Sequence, residues 1–141
     1  MRTGVVLLEL ILALTVAALL ALIVAPSVAS IANAAALRTE VIRLAGELDA
    51  ARSAAVRLDG RAELRLSDNT YSLAVLAGSD TVAKFSTRGP AASGVTLSGA
   101  GSTIAFGPEG IAMGASNRTL VLTRGGASRT VVISRLGRLT Y

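Results

Sequence analysis

The stretch Gly4-Val5-Val6-Leu7-Leu8-Glu9 decides how this chain is built, because it opens an apolar run that lasts from Val5 to Ala25. Glu9 is the only charged residue in that run. A helix of about 20 apolar residues spans the hydrocarbon core of a bilayer, so we predict a transmembrane helix over residues 5–25. An ionised side chain in such a helix costs about 2.5–3.5 kcal/mol at the bilayer centre and usually marks a functional contact. Glu9 is therefore a candidate functional residue.

The residues that flank the run predict its orientation and its end. Arg2 precedes the run, and the next basic residue, Arg38, lies well beyond it. By the positive-inside rule, a single-pass anchor would keep its N-terminus in the cytoplasm and export the rest of the chain. Pro26 follows the run at once, and its missing N–H predicts a kink in the helix or the end of its first half.

Between residues 26 and 59 the pattern becomes that of an amphipathic helix. Apolar residues recur at spacings of three and four, which is typical of a buried helix stripe. The stripe consists of Leu37, Val41, Leu44, Leu48, Ala51, Ala55 and Leu58. Charged residues, Glu40 among them, take the other faces, and Arg43 is expected to pair with Glu47 one turn later. Asp59-Gly60 is expected to end the helix, with Gly60 in the left-handed conformation.

After Gly60 the apolar period falls to two, which predicts a β-rich domain over residues 60–141. Residues 62–66 and 71–75 alternate on either side of a turn at 67–70 and are predicted to form a hairpin. The further predicted strands cover residues 82–87, 95–97, 103–106, 119–123, 130–134 and 136–141. A second hairpin is expected around residues 124–129, with loops at 88–93 and 107–110. The predicted fold class is α+β, with a long N-terminal helix packed on an antiparallel sheet domain.

The composition excludes several classes of function. With 141 residues and the first third committed to the helix, one small globular domain remains. The chain contains no Cys and no His, so it lacks thiol nucleophiles, the commonest general base and the usual zinc ligands. A pair between Lys84 and a serine is conceivable, but nothing in the sequence points to it. We therefore expect no enzyme activity, no metal site and no cofactor.

The spacing of Gly4, Glu9 and Pro26 resembles the class III signal of type IV pilins and type II secretion pseudopilins. In that family a prepilin peptidase of the inner membrane cuts after the glycine and methylates the new N-terminus. The resemblance implies a leader peptide at residues 1–4, cleavage between Gly4 and Val5, N-methylation of Val5 and a helix-kinking role for Pro26. Val5 and Val6 depart from the usual family string, which is close to Gly-Phe-Thr-Leu-Leu-Glu.

The resemblance also implies a specific partner for Glu9. Cleavage would remove Arg2 and leave a positive amine on Val5, which can pair with the Glu9 carboxylate of an adjacent subunit and set the register. The apolar helix would bury against neighbouring helices and form a filament core. The expected partners are prepilin peptidase, other pilin or pseudopilin subunits, the inner membrane and exported proteins.

The C-terminal half narrows the resemblance to one group. Phe106-Gly107-Pro108-Glu109-Gly110 and the later string Val132-Ile133-Ser134-Arg135-Leu136-Gly137-Arg138-Leu139 are similar to the GspH/FimT group of minor pilin-like proteins. This similarity implies a minor pseudopilin that helps to start or cap a type II secretion pseudopilus. The alternative is a FimT-like minor pilin that binds DNA for uptake through C-terminal arginines.

The DNA-binding motif of that alternative, Gly-Arg-x-Arg, is matched only in part. Gly137 and Arg138 fit the motif, but Thr140 stands where the second arginine would be. Five arginines nevertheless follow Glu109 with no acid among them, and such a cluster can bind phosphates. They are Arg118, Arg124, Arg129, Arg135 and Arg138. The competing interpretation is that strand arginines solvate exposed faces and guard sheet edges.

Two simpler interpretations of the N-terminus stay open beside the filament hypothesis. A secretory signal would have the same charged start and apolar run, and Ala32-Asn33-Ala34 would offer a cleavage site. A single-pass anchor without a filament role would also tolerate Glu9 near its start, where the carboxylate can reach interfacial water. The charge inside the run and the amphipathic helix after Pro26 argue against the secretory signal.

Overall fold

The computed structural model describes residues 2–78, 80–114 and 117–141, with the side chains of residues 2–4 and 24–26 outside the description. One helix, α1, spans Arg2–Arg57, and its backbone stays helical through position 26. A short 3-10 helix lies at Pro90–Ser93. Nine strands follow α1 in the described part of the chain: β1 Arg61–Leu66, β2 Thr70–Ala77, β3 Asp80–Arg88, β4 Thr96–Ser98, β5 Thr103–Phe106, β6 Ala112–Met113, β7 Arg118–Arg124, β8 Ala127–Ile133 and β9 Leu139–Thr140.

The strands form two antiparallel sheets against one side of α1. The first sheet has the order β3-β2-β1-β5-β6, and the second has the order β4-β7-β8-β9. The C-terminal half of α1 contacts β1 and β2 of the first sheet and β7 and β8 of the second. The predicted α+β class, a long N-terminal helix packed on antiparallel sheet, is confirmed.

Both predicted hairpins are present, but the second turn is tighter than expected. In the first hairpin, Leu64 of β1 lies opposite Leu73 of β2. In the second, β7 and β8 pair up to Arg124, so that only Gly125 and Gly126 form the turn. Both glycines have positive φ, 52° and 82°, which matches the twist that a two-residue hairpin turn requires. The sequence did not predict β6 or the 3-10 helix, and β3 extends into the loop predicted at 88–93.

The core lies between the C-terminal half of α1 and the inner faces of both sheets. Six of the seven residues in the predicted helix stripe are buried, and the exception is Leu58, which follows the last helical residue and is exposed. The strand residues that meet the stripe alternate as a period of two predicts. They include Ala62, Leu64, Leu66, Tyr71, Leu73, Val75, Leu120, Leu122, Val131 and Ile133. Each large apolar side chain buried in this way contributes about 1.5–3 kcal/mol.

At the end of α1, the residue with the left-handed backbone conformation is not the one that the sequence predicted. Asp59 has a φ of 45°, whereas Gly60 lies outside the positive-φ region. The amide of Gly60 donates to the carbonyl of Ala55 at 3.0 Å, and the amide of Asp59 donates to that of Val56 at 3.4 Å. These two bonds form a Schellman motif. Glycine is required at position 60 because a Cβ there would lie 2.5 Å from the carbonyl oxygen of Leu76.

Candidate functional site

The N-terminal half of α1 forms a long exposed apolar surface. Every side chain from Val5 to Ile23 is exposed, and α1 is long and apolar enough to cross a membrane. Glu9 lies within this surface and makes no ion pair among the described residues. Gly4 and Pro26 belong to the stretches whose side chains lie outside the description. Cleavage after Gly4, methylation of Val5 and a kink at Pro26 therefore stay predictions.

The five C-terminal arginines are distributed over β7, β8 and the turn that follows β8. Arg118 and Arg124 are half-buried at the two ends of β7, and Arg124 Nη1 donates to a backbone carbonyl of the 3-10 helix at 2.5 Å. Arg129 is exposed on β8 and lines a groove beside α1. Arg135 and Arg138 are exposed together in the turn between β8 and β9. Arg135 and Arg138 thus share one turn, whereas the other three arginines lie on strands.

Gly137 has a structural role in that turn. Its φ is 74°, and a Cβ at this position would lie 2.8 Å from the carbonyl oxygen of Gly110. Both facts favour glycine. The amide of Ala112 donates to the carbonyl of Arg135 at 3.2 Å, which ties β6 of the first sheet to the end of β8 in the second. The stretch from Phe106 to Gly110 and the stretch from Val132 to Leu139, which both stand out in the sequence, therefore meet where the two sheets are joined. We call this contact the joint between the sheets.

A buried polar cluster that the sequence did not predict connects α1 to the sheet domain. Glu40, which was expected on a solvated face, is only 2% exposed. Its carboxylate accepts a hydrogen bond from Ser93 Oγ at 2.6 Å and pairs with Arg43 Nη2 at 2.8 Å. The predicted Arg43–Glu47 pair is wrong, because Arg43 pairs with Glu40. Glu47 instead accepts a hydrogen bond from Thr87 Oγ1 of β3 at 2.8 Å.

Tyr71 of β2 completes this cluster. The guanidinium carbon of Arg43 lies 5.7 Å from the centre of the Tyr71 ring, within the range of a cation–π interaction. Burial, and after it the carboxylate of Glu40, raise the pKa of Tyr71 to about 12. The sequence does carry a signal for the cluster: Glu40 lies three residues after Leu37 and four before Leu44, on the buried stripe itself. The cluster ties α1 to the 3-10 helix through Ser93 and to β2 through Tyr71.

A groove of about 600 Å³ lies between α1 and β8. It is lined by Arg38, Val41, Ile42, Arg129 and Tyr141. Two guanidinium groups and an apolar wall suit an anionic group of a partner better than a metal ion. Among the residues that the structure describes, no group of three or more Asp or Glu side chains is arranged to hold a metal.

Comparison with known protein families gives a match that covers most of the globular part. The family described as "Type II transport protein GspH" matches residues 40–137, which is more than half of the chain. The matched region begins at Glu40 of the buried cluster and ends at Gly137 of the joint between the sheets. No curated protein matches the sequence at a significant level.

Two solved structures are similar in fold, and both are crystal structures of the type IV minor pilin FimU from Pseudomonas aeruginosa PAO1. The first has a TM-score of 0.62 and 23% identity, and the match covers 74% of this chain and 86% of that one. The second has a TM-score of 0.58 and 21% identity, with 74% and 90% of the two chains covered. At this level of identity the similarity shows a shared fold, which is the pilin-like one.

Proposed function

This chain belongs to the GspH family of type II transport proteins and has a pilin-like fold, and we propose that it is a minor pseudopilin. In this role it assembles into, or initiates, a type II secretion pseudopilus. The observation that supports the proposal best is the exposed apolar half of α1, which carries one carboxylate, Glu9, five residues after Gly4.

The exposed apolar surface of α1 requires an apolar environment. Leaving a large apolar side chain in water rather than burying it costs about 1.5–3 kcal/mol. The apolar surface of α1 extends over all side chains from Val5 to Ile23. The lipid bilayer satisfies the requirement before assembly, and the helices of neighbouring pilin-like subunits satisfy it in a filament. The proposed topology is a single pass through the inner membrane, with the N-terminus in the cytoplasm and residues 60–141 in the periplasm.

Processing gives Glu9 its role in this proposal. Prepilin peptidase cuts after Gly4 and methylates the new amine on Val5. Val5 and Glu9 are four residues apart, which corresponds to about 6 Å along a helix. A neighbouring subunit displaced by about one helical turn therefore brings its Val5 amine level with this carboxylate. Two charges that pair in a low-dielectric environment offset much of their desolvation cost, whereas an unpaired one does not.

Mass spectrometry of the protein from bacterial membranes tests the proposal. In a host with prepilin peptidase, we expect loss of Met1 to Gly4 and a methylated Val5 amine. The matched control is the same chain in a host without the peptidase, where the leader should stay attached. An N-terminus at Met1 in the first host, or one near Ala35, contradicts the filament function. Gene neighbours that encode secretion components and exported substrates would further support it.

DNA binding for uptake is the second candidate function, and one observation favours it. Arg135 and Arg138 are exposed in the same turn, beside Gly137, where they match part of a DNA-binding motif. Replacing both arginines by alanine should weaken binding to duplex DNA at low salt and reduce the slope of log K against log salt by about 2. Arg65→Ala, an exposed arginine of β1, is the matched control. If the double variant binds DNA as tightly as the unaltered chain does, this function is excluded. It is also excluded if the unaltered chain binds no DNA.

A further inference from the structure

The strand β3 has an open edge that no other element covers in the described part of the chain. It lies at one end of the first sheet and pairs with β2 alone among the described residues. β3 has 9 residues, whereas the strands at the other sheet edges, β6, β4 and β9, have two or three each. An edge strand presents a row of backbone N–H and C=O groups with which another extended chain can pair.

A bulge limits the part of this strand that can take a partner. Val82 has no residue opposite it on β2, because the register shifts between Val75 and Leu76. Beyond the bulge the register is regular as far as Arg88. Since a bulge bends a strand and interrupts its ladder, we expect a partner strand to pair with residues 83–88. We call these residues the β3 edge.

The inner face of the β3 edge carries an exposed aromatic ring. Phe85 lies opposite Leu73, which is buried, so both side chains are on the face of the sheet that packs against α1. Thr87 is on the same face, where its hydroxyl donates to Glu47 of α1 at 2.8 Å. Phe85 is nevertheless 61% exposed. A partner that covers this ring would bury apolar surface, which favours binding.

The outer face of the β3 edge is basic. Lys84 and Arg88 occupy the alternate positions, whose side chains point to the face of the sheet away from α1, and both are exposed. They are separated by about 14 Å at the usual rise of a strand. Neither forms an ion pair among the residues that the structure describes. Arg65 of β1 is exposed on this face as well, and the nearby Glu63 is paired with Arg61 at 2.7 Å. The outer face therefore keeps its positive charge.

Basic residues and a bulge are also the devices with which proteins protect an edge strand from aggregation. An edge that served only this purpose would not carry a large exposed ring between its two basic residues. Phe85 makes pairing with another chain more favourable, whereas Lys84 and Arg88 oppose any partner that is basic at these positions. This combination is typical of a selective binding site, in which the charges reject the wrong partners.

The two faces together define the chemistry of the partner. A β-strand sends alternate side chains to opposite faces, so it can meet Phe85 and the two cations at the same time. A nucleic-acid strand bound to Lys84 and Arg88 would leave the backbone groups of the edge unpaired and Phe85 uncovered on the other face. The matching protein segment has an acidic residue opposite each of the two cations and an apolar residue opposite Phe85.

A second copy of the β3 edge does not have this chemistry. Residues 83–88 include no acid. In an antiparallel pair centred on Ser86, Lys84 of one copy would lie opposite Arg88 of the other, and like charges directly opposite each other destabilise a sheet. The edge therefore selects a different chain. Such selection agrees with a minor subunit, which meets non-identical neighbours in a filament.

We propose that the β3 edge binds an extended segment of a non-identical pilin-like subunit, which continues the first sheet as an additional strand. Backbone hydrogen bonds hold this segment on the edge. Its apolar residue packs on Phe85, and its acidic residues pair with Lys84 and Arg88. In strand addition of this kind the backbone provides affinity and the alternate side chains provide specificity. The inference rests on the proposed assembly function and adds to it a site for one class of partner.

A fluorescent peptide with the sequence Glu-Val-Thr-Val-Glu tests the chemistry of this site. The sequence reads the same in both directions, so parallel and antiparallel pairing both place its acids at Lys84 and Arg88. Fluorescence anisotropy with the full chain in nanodiscs of zwitterionic lipid measures binding, and empty nanodiscs give the background. The matched peptide Lys-Val-Thr-Val-Lys should bind about tenfold more weakly. The acidic peptide with N-methylated backbone amides should not bind, because it cannot continue the sheet.

Variants on both faces make the test specific for the β3 edge. Phe85→Ser should weaken binding of the acidic peptide about tenfold. Ile111→Ser, at an apolar residue that is 43% exposed outside β3, is the control and should leave binding unchanged. Lys84→Glu combined with Arg88→Glu should reverse the preference, so that the lysine peptide binds better, and misfolding cannot produce such a reversal. Arg57→Glu, at an exposed arginine of α1, is the control for charge. The inference is overturned if the acidic peptide does not bind at about 1 mM. It is equally overturned if Phe85→Ser or N-methylation leaves binding unchanged.

Photo-cross-linking in membranes of the bacterium that produces the chain tests the identity of the partner. Benzoyl-phenylalanine at position 85 replaces one aromatic side chain by another. We expect a cross-link to a pilin-like subunit other than this chain. A cross-link only to an exported protein, only to a second copy of this chain, or to no protein refutes the assignment to a non-identical subunit.

The N-terminus of the chain in the same membranes separates this inference from the proposed function. A cleaved and methylated chain whose β3 edge binds no peptide refutes the edge site and leaves the pseudopilin function standing. Peptide binding that depends on Phe85, in a chain that the bacterium leaves unprocessed, supports the edge site and refutes the proposed processing.

Discussion

Substitution of Glu40 tests how α1 is held on the sheet domain. The chain has two described ion pairs of nearly equal length, Glu40–Arg43 at 2.8 Å and Glu63–Arg61 at 2.7 Å. They differ in burial: the side chains of Glu40 and Arg43 are 2% and 26% exposed, and those of Glu63 and Arg61 are 34% and 52% exposed. If burial rather than distance determines the contribution of an ion pair, the two glutamates should differ strongly on substitution.

Glu40→Gln keeps the volume of the side chain and an acceptor for Ser93, but it removes the charge. Breaking a fully buried pair costs about 3–5 kcal/mol, because the remaining charge loses its partner. Arg43 is partly solvated, so we expect a loss at or just below this range, about 2–3 kcal/mol of unfolding free energy. Glu63→Gln should cost less than about 0.5 kcal/mol, because exposed pairs contribute little.

Urea unfolding of the full chain in detergent micelles, followed by circular dichroism of the sheets, measures both variants. At a slope of about 1–3 kcal/mol per molar urea, Glu40→Gln should lower the midpoint by roughly 1–2 M with an unchanged slope. Glu40→Met combined with Arg43→Met should recover much of the loss, since apolar residues can replace a buried pair. Equal losses for Glu40→Gln and Glu63→Gln would refute the reasoning.

Two further predictions concern Tyr71 and Gly137. The pKa of Tyr71 in the folded protein is about 12, against about 10 for an unfolded tyrosine. Tyr71 is therefore neutral in both states below pH 10, where its contribution to the free energy of unfolding is complete. Stability should then fall between pH 10 and 12, by about 1.4 kcal/mol per unit of pKa difference, and Tyr71→Phe should remove this fall from the pH profile of urea unfolding. Gly137→Ala should destabilise the protein by about 1–3 kcal/mol, because alanine is strained at a φ of 74° and its Cβ would meet the carbonyl of Gly110. Arg138→Ala in the same turn is exposed and should change the unfolding free energy by less than about 0.5 kcal/mol in the same assay.

The parts of the fold that follow from local patterns could be predicted from the sequence. The stripe from Leu37 to Ala55 repeats at the helical period, and such a stripe is buried wherever a helix meets a core. The alternation in residues 62–66 and 71–75 likewise predicts a half-buried hairpin. Both patterns depend on residues within one or two elements, so no knowledge of the tertiary structure is needed.

The parts that depend on distant residues could not be predicted in the same way. Glu40 lies on the buried stripe, but charged residues are usually exposed, and the group that compensates its burial is the hydroxyl of Ser93, far along the chain. The joint between the sheets brings Gly110 to Gly137, and the sequence shows only two glycine-containing turns there. At position 60 the sequence predicted glycine for its left-handed conformation. The structure requires glycine there for another reason, because the carbonyl of Leu76 approaches too closely for a Cβ. In each case the decisive neighbour lies on another element.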